Sequence, residues 1–365
     1  MVSIKNSITL FDFTSRAPNV QPSAELEVSK DDSVTCLAAL GTQNGLVLYA
    51  GNNSSEEDRS RARNEHFRSF EVQLPKNKRA SDAAEKTEAS IGVLGKCMLF
   101  SAPHSAVAVK EAYQRLIRLS PPPRAATNTP TKRIGAIASS LGDPSELVIF
   151  SATSNRPQGQ DIIERISFPK NQEANDVDIL ALGEGRFQVA YVADYEVHIQ
   201  NVHYDFDQQK SIGKNERRKV YAVPQPDLAE KKARSKLRCI RWLSPKHLLL
   251  LANKPNRTGV ELVVVHLYEE GPGSVVQRKT LPKHVKAATD MDVALLDADM
   301  SGAYQIAIAI GAIDVSLSVY TVDYYGDAQD SLSKIHSFNS YDDVRIKSSI
   351  YLQNILILFR STMCR

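Results

Sequence analysis

The chain has 365 residues, of which 42% are hydrophobic and 24% charged; this excludes disordered and fibrous proteins and is sufficient for a large core. Its 45 Lys and Arg residues nearly balance its 42 Asp and Glu residues, leaving a net charge of +3, so we expect no general affinity for nucleic acid. The cysteines Cys36, Cys97, Cys239 and Cys364 are far apart, which argues against a zinc module or a disulfide framework and favours a reducing compartment.

Strand patterns dominate from the N-terminus onward. Alternating polar and apolar residues, typical of half-buried strands, occupy three segments: Ser7–Phe13, Tyr195–Val202 and Val315–Tyr324. Continuous apolar runs, typical of buried strands, occupy four more: Gly45–Ala50, Glu146–Phe150, His247–Ala252 and Tyr304–Ile310. The best helix candidate is Ala106–Leu119, which is followed by three prolines.

A phrase of three consecutive strands recurs along the chain. Its second strands start near residues 45, 98, 146, 187, 246 and 304, a spacing close to the roughly 40–50 residues of a propeller blade. Six phrases and the additional strand Ser7–Phe13 predict an all-β fold, a WD-repeat-like β-propeller of about seven blades. A pair of β-sandwiches is the alternative, but it would impose no period.

No membrane span is predicted, because no segment has about 18 consecutive apolar residues. The N-terminus also lacks the apolar core of a signal peptide, since Lys5, Asn6 and Asp12 interrupt it. We therefore expect this chain alone to be soluble.

Enzyme motifs for phosphate loops, zinc proteases and serine hydrolases are missing from the sequence. The glycine pair Gly183 and Gly185 is interpreted as a turn. Four aspartates form the densest acidic cluster, which we interpret as a blade-end turn because the glycine and glutamate of a calcium loop are not in place: Asp290, Asp292, Asp297 and Asp299.

Two basic runs, Lys214–Lys219 and Lys231–Arg238, have two readings. They could bind an acidic partner or phosphates, or they could be solvated loops, and the acidic residues nearby favour loops. No aromatic residues alternate with the basic ones, which weakens a nucleic-acid interpretation.

Several longer phrases together resemble one protein family. The most extensive is Lys236–Val293, with KLRCIRWLSPKHLLLLANKPNRTGVELVVVHLY followed by LPKHVKAATDMDV. Four shorter phrases support it: Asn64–Val72, Tyr113–Pro122, Arg133–Ser140 and Gly183–Tyr191. In this order, across most of Ser3 to Ser340, the chain resembles the cytosolic propeller of the fungal guanine-nucleotide exchange factors of the endoplasmic reticulum. These membrane proteins activate the small GTPase that initiates COPII coat assembly.

The resemblance implies exchange without bond chemistry. The propeller would hold the switch regions of the GTPase and stabilise its nucleotide-free state, so that GDP leaves and GTP enters. In the family, the working part is a glycine-rich loop near the N-terminus that a monovalent cation holds. The segment Ser3, Ile4, Lys5 and Asn6 matches the end of that loop. Asn6 is the residue expected to act in exchange, its three neighbours are expected to bind the partner, and potassium is the cation implied.

The resemblance also implies domain boundaries and a location. Residues 1–340 are expected to form the propeller, with its first blade lacking the opening strands, and the ring is therefore expected to be incomplete at both ends. Tyr341–Arg365 is an atypical segment in which the family's membrane span is not found. The family acts at the cytosolic face of the endoplasmic reticulum, with membrane attachment only through that span. The alternative function is a propeller scaffold that binds proteins without catalysing exchange.

Overall fold

The computed structural model describes residues 7–12, 22–28, 34–42, 45–61, 63–74, 89–101, 113–121, 132–140, 144–225, 233–283, 285–298, 304–312, 317–324, 349–352 and 355–360. Within these residues the chain forms 24 β-strands, the short α-helix α1 (Glu56–Ser60) and 3-10 turns at Gly159–Asp161 and Pro255–Arg257. The prediction of an all-β fold is confirmed. The chain divides into two compact units, one of residues 1–173 with 345–365 and the other of residues 174–344.

The first unit contains three antiparallel sheets of four strands. Sheet 1 has the order β2-β1-β24-β23, with β1 (Ser7–Asp12), β2 (Pro22–Glu27), β23 (Ser349–Leu352) and β24 (Ile355–Arg360). Sheet 2 is a meander of β3 (Val34–Thr42), β4 (Gly45–Asn52), β5 (Phe67–Gln73) and β6 (Ser90–Cys97). Sheet 3 is a meander of β7 (Gln114–Leu119), β8 (Ile134–Ser139), β9 (Ser145–Ser151) and β10 (Ile162–Phe168).

The second unit contains three further sheets. Sheet 4 comprises β11 (Ala174–Gly183), β12 (Arg186–Ala193), β13 (Glu196–Asp205), β14 (Lys210–Ser211) and β15 (Arg217–Ala222), of which the last two both pair with β13. Sheet 5 is a meander of β16 (Lys236–Ser244), β17 (His247–Asn253), β18 (Val260–His266) and β19 (Ser274–Thr280). Sheet 6 is a meander of β20 (Ala288–Ala298), β21 (Tyr304–Ala312) and β22 (Leu317–Tyr324).

The antiparallel four-strand meander is the blade of a β-propeller, and the propeller-like fold class follows from it. The described residues form six sheets, where the sequence predicted about seven blades. One predicted phrase accounts for the difference. Ser7–Phe13 contributes β1 to sheet 1, where it pairs with β24, and five of the six phrases correspond to sheets 2 to 6. The phrase with its second strand near residue 98 forms no sheet of its own, since Ser90–Cys97 is the fourth strand of sheet 2.

The predicted helix Ala106–Leu119 is wrong over its second half. Gln114–Leu119 is β7, which pairs with β8, and the residues before it lie outside those described. The spacing of Leu116 and Ile117 suits either element, and the pairing with β8, a strand buried along its whole length, favours the strand.

Hydrophobic cores lie between the faces of successive sheets within each unit. In the first unit, one cluster joins sheets 1 and 2 through Ile8, Leu10 and Leu48, and a second joins sheets 2 and 3 through Tyr49 and Phe150. In the second unit, corresponding clusters join sheets 4 and 5 and sheets 5 and 6. This face-to-face burial explains why the central strands are continuous apolar runs.

A buried histidine connects sheet 2 to sheet 3. His66 Nε2 accepts the backbone N–H groups of Leu99 and Phe100 at 3.1 and 3.0 Å, so the ring proton is on Nδ1 and is donated to Gln114 Oε1 at 3.0 Å. The Gln114 amide then donates to Cys36 Sγ at 3.4 Å. Burial lowers the pKa of His66 to about 4 and raises the pKa of the Cys36 thiol to about 11.

The interpretation of Gly183 and Gly185 as a turn is confirmed. These glycines connect β11 to β12 and have φ angles of 88° and 73°. Residues other than glycine rarely adopt this region of backbone conformation. A Cβ atom on Gly185 would lie 2.3 Å from the Tyr204 carbonyl oxygen. Gly185 is therefore required both for its backbone angle and for close passage of β13.

We predict that Gly185→Ala lowers the free energy of unfolding by about 2–4 kcal/mol, because backbone strain and a clash with backbone act together. Gly213→Ala is the matched control: Gly213 has φ of 74° and no atom within 4 Å of an added Cβ, so strain alone should cost about 1 kcal/mol. Urea unfolding of both variants measures the difference. Equal losses would show that Tyr204 moves aside freely.

We predict that His66 makes stability depend on pH. Because its pKa is lowered to about 4 in the folded chain, the unfolded chain binds more protons as pH falls below about 6.5, and stability is lost in that direction. The loss from this group between pH 7 and pH 5 is about 2 kcal/mol. Urea unfolding of wild type and His66→Gln at both pH values measures it, since only the wild type should show this increment.

The control for this measurement is Gln172→Ala, which removes an exposed side chain without a titratable group and should keep the wild-type pH dependence. An unchanged pH dependence in His66→Gln would contradict the assignment.

Candidate functional site

The predicted exchange segment, Ser3–Asn6, lies outside the described residues, and its role stays a prediction. The structure does describe the strand that follows it directly. β1 is a central strand of sheet 1, paired on one side with β2 and on the other with β24. Ile8 and Leu10 on this strand are 0% and 1% exposed. The segment is therefore attached to a strand fixed by two neighbours and a buried face.

A repeated irregularity marks the first strand of each sheet from sheet 2 to sheet 6. Near its start, each of these strands skips one residue in its pairing with the second strand, which is a β-bulge. The skipped residues are Thr35, Arg115, Asn175, Arg238 and Thr289. When the five strands are aligned in sequence by their bulges, the residues three positions after each bulge occupy equivalent positions in their own sheets.

Side chains at the bulges contact the next sheet of the same unit. Thr35 Oγ1 donates to the Gln114 carbonyl oxygen in sheet 3. Asn175 Nδ2 donates to the Leu237 carbonyl oxygen at 3.3 Å, and Arg238 Nε donates to the Thr289 carbonyl oxygen at 3.0 Å. In all three cases the acceptor lies at or directly before the bulge of the following first strand.

A row of charged side chains follows the bulges in the second unit. The equivalent positions hold Asp178 in sheet 4, Arg241 in sheet 5 and Asp292 in sheet 6. Two positions earlier on their strands, Asp176 and Asp290 complete the row. The alternating signs bring one guanidinium between carboxylates of both neighbouring sheets.

Arg241 is the centre of this row and is 3% exposed. Its Nε donates to Asp292 Oδ1 at 3.0 Å, its guanidinium is 3.5 Å from Asp290 Oδ1, and it forms an ion pair with Asp176. The Asp176 carboxylate also accepts the Ile240 and Val177 N–H groups, both at 2.9 Å. These bonds satisfy the buried charges, and they cross-link the three first strands of the unit.

The outer part of the row is acidic and open to solvent. The side chains of Asp290 and Asp292 are 62% and 66% exposed, whereas Asp178 accepts the Trp242 N–H at 2.8 Å. Within the described residues, no group of three or more His, Cys, Asp or Glu side chains is arranged to hold a metal ion. The row therefore cross-links the first strands of sheets 4, 5 and 6 and gives this part of the surface a negative charge.

The structure corrects the interpretation of the aspartate cluster as a turn, and it shows a charged row that the sequence did not single out. Asp290, Asp292 and Asp297 lie on the strand β20 and not on a turn, and Asp299 lies outside the described residues. Because a strand places alternate residues on one face, Asp-x-Asp at 290–292 and at 176–178 was the signal available in the sequence. Arg241 could be paired with them only after the strand register was known.

The two basic runs are partly strands. Arg217–Lys219 begins β15, and Lys236–Arg238 begins β16, so among the described residues the interpretation as loops holds only for 214–216 and 233–235. Among the scattered histidines, His247 is buried; its Nδ1 is hydrogen-bonded with Ser244 Oγ at 2.9 Å, and its Nε2 lies 3.0 Å from His266 Nδ1. Both histidines have hydrogen-bond partners, as expected of core or rim residues.

No helix among the described residues is long and apolar enough to cross a membrane.

Neither a model of a known protein family nor a curated protein matches this sequence. Among solved structures, the chain is similar to the N-terminal domain of Nup159, with a TM-score of 0.43 and 9% identity over 95% of this chain and 80% of that one. It is also similar to Sqt1 of Chaetomium thermophilum, with a TM-score of 0.46 and 13% identity over 87% of this chain and 62% of that one. Both scores are below 0.5, so the propeller-like fold class rests on the strand order and pairing.

We predict that Arg241→Met lowers the free energy of unfolding by about 3 kcal/mol, because it leaves the buried Asp176 carboxylate without its counter-charge. The matched control is Arg186→Met. The ion pair of Arg186 with Glu184 is exposed on both sides, at 55% and 86%, and should contribute less than about 1 kcal/mol. Thermal or urea unfolding measures both, and similar losses would contradict a structural role of the Arg241 cluster.

Proposed function

We propose that this chain is a guanine-nucleotide exchange factor for the small GTPase that initiates COPII coat assembly at the endoplasmic reticulum. The observation that carries the proposal is the ordered resemblance of Ser3–Ser340 to the fungal exchange-factor family, most extensive over Lys236–Val293. The all-β fold built of four-stranded meanders is compatible with the propeller of that family.

The phrases that resemble the family fall mainly on the framework of the fold. Lys236–Tyr268 spans β16 to β18, Asn64–Val72 includes most of β5, and Gly183–Tyr191 includes the β11–β12 turn. These phrases therefore support the fold more than the site. The site in the proposal depends on Ser3–Asn6 alone.

The proposed mechanism is differential binding. A partner in its nucleotide-free state is unstable, and a surface that binds this state more tightly than the GDP-bound state accelerates release of GDP. The Asn6 side chain has an amide donor and an acceptor and could bond the backbone of a switch segment. Attachment to the doubly paired strand β1 would keep the amide in place, and potassium would order the loop before it. In the full family this occurs at the cytosolic face of the membrane.

We predict that this chain accelerates GDP release from the coat-initiating GTPase in potassium buffer at substoichiometric amounts. Asn6→Ala should slow the accelerated rate about tenfold, which is the effect of losing roughly one hydrogen bond in the stabilised state. The matched control is Gln172→Ala, which removes an exposed amide next to a turn and should leave the rate unchanged. Fluorescence of a labelled GDP measures all three proteins.

Three results separate the proposal from its alternative. Acceleration by wild type that Asn6→Ala does not reduce would overturn the role of Asn6. Absence of acceleration, with binding of the nucleotide-free GTPase retained, would favour a scaffold. Absence of both would overturn the assignment of this partner.

A further inference from the structure

A groove opens within the second unit where sheets 4 and 5 end in hairpin turns. Its volume is about 800 Å³, within the range of roughly 300–1,000 Å³ that is typical of ligand sites. One side consists of residues 214–218 before and at the start of β15. The other side consists of Leu267–Gly271, between β18 and β19. The basic run Lys214–Lys219, which the exchange proposal does not use, lines this groove.

The two sides are fixed to one another by hydrogen bonds. The Arg218 guanidinium donates to the carbonyl oxygens of Tyr268 and Glu269 at 2.7 and 3.0 Å. The Gly273 N–H donates to the Val220 carbonyl oxygen at 2.7 Å. A groove held in this way exists before any ligand binds, which reduces the entropy lost on binding.

An amide pair in the lining is suited to a peptide backbone. Gln188 on β12 and Asn201 on β13 are directly opposite, and Gln188 Nε2 donates to Asn201 Oδ1 at 3.1 Å. The side-chain oxygen of Gln188, Oε1, and the side-chain nitrogen of Asn201, Nδ2, have no partner in the part of the chain that the structure describes. One acceptor and one donor on adjacent side chains match the N–H and C=O groups of an extended peptide.

The apolar residues of the lining provide a place for one side chain. Tyr268 is 50% exposed and Leu182 is 42% exposed, and both line the groove. Exposed tyrosine is enriched at binding surfaces, because a large apolar ring and a hydroxyl are offered with few rotatable bonds.

The two sides of the groove carry opposite net charges. The β15 side has Lys214, Arg217 and Arg218 against Glu216, and Lys246 lies on the β16–β17 turn, whereas the β18–β19 turn has Glu269 and Glu270. A ligand with one uniform charge would be repelled by one side. The complementary ligand is basic at one end and acidic at the other.

We propose that this groove binds an extended peptide segment of a partner protein, with an apolar residue between an acidic end and a basic end. The backbone of the segment bonds Gln188 and Asn201, and the apolar side chain packs on Tyr268 and Leu182. This binding is separate from the exchange function proposed for Ser3–Asn6, and neither depends on the other.

The test uses labelled peptides of equal length and the full chain, with fluorescence anisotropy as readout. Peptide one has the sequence Asp-Asp-Ser-Leu-Ser-Lys-Lys; peptide two, Asp-Lys-Ser-Leu-Ser-Asp-Lys, has the same composition with mixed charges. We expect saturable binding of peptide one with a Kd of about 10 µM to 1 mM, as is usual for short peptides. Peptide two should bind at least about fivefold more weakly, because its charges are not segregated.

Variants locate the binding. Tyr268→Ala should weaken binding of peptide one about tenfold, as should the double variant Lys214→Glu with Arg217→Glu, because it makes both sides of the groove acidic. The matched control is Arg257→Glu with Lys279→Glu, which reverses two exposed charges of the same unit outside the groove. This control should bind like wild type.

Four outcomes would overturn the proposal: no saturable binding of peptide one up to about 5 mM, equal binding of both peptides, wild-type affinity in the groove variants, or displacement of peptide one by poly-uridine RNA at physiological salt. The last would indicate a nucleic-acid site. The rate of GDP release from the GTPase is also measured with the Tyr268→Ala variant added. This rate distinguishes the two proposals, since the variant should lose peptide binding but accelerate GDP release as wild type does.

Discussion

The hydrogen bond from a bulged first strand to the first strand of the next sheet is the constraint on which this fold depends. A four-stranded meander buries its faces but cannot define its position relative to another meander, because hydrophobic contact has no direction. A side chain at the bulge reaches a backbone carbonyl oxygen in the neighbouring sheet, as Thr35, Asn175 and Arg238 do. Directional bonds of this kind fix the neighbouring strand, and the apolar clusters then pack within that geometry.

The buried polar groups follow from the same arrangement. Because the first strands are bonded at their bulges, side chains a few residues further along are brought to equivalent places on successive strands. In the second unit these places hold Asp178, Arg241 and Asp292, and the guanidinium has carboxylates from both neighbouring sheets. In the first unit, His66 and Gln114 make a neutral connection between sheets 2 and 3. The two units are thus cross-linked internally by different means, one by buried charges and the other by neutral hydrogen bonds.

The sequence was sufficient for features determined within one strand or turn. Apolar runs placed the buried strands, and the glycines at 183 and 185 placed a turn whose positive φ angles the structure shows. Features that depend on pairing could not be predicted. A bulge is defined by the partner strand, and Arg241 is 65 residues from Asp176 along the chain. The sequence predicted a separate phrase around residues 89–98, whereas Ser90–Cys97 pairs as the fourth strand of sheet 2.

The two proposed binding elements differ in what holds them. The exchange segment would depend on β1, which pairs with the next strand, β2, and with the distant strand β24, so its order would be lost whenever sheet 1 opens. The groove depends on hydrogen bonds between sheets 4 and 5, chiefly those that Arg218 on β15 donates to three carbonyl oxygens of the β18–β19 turn. A substitution that impairs exchange alone therefore acts through sheet 1, whereas one that impairs peptide binding alone acts through the β15 side of the groove. Since the elements share no strand, a substitution that impairs both acts through stability of the whole chain.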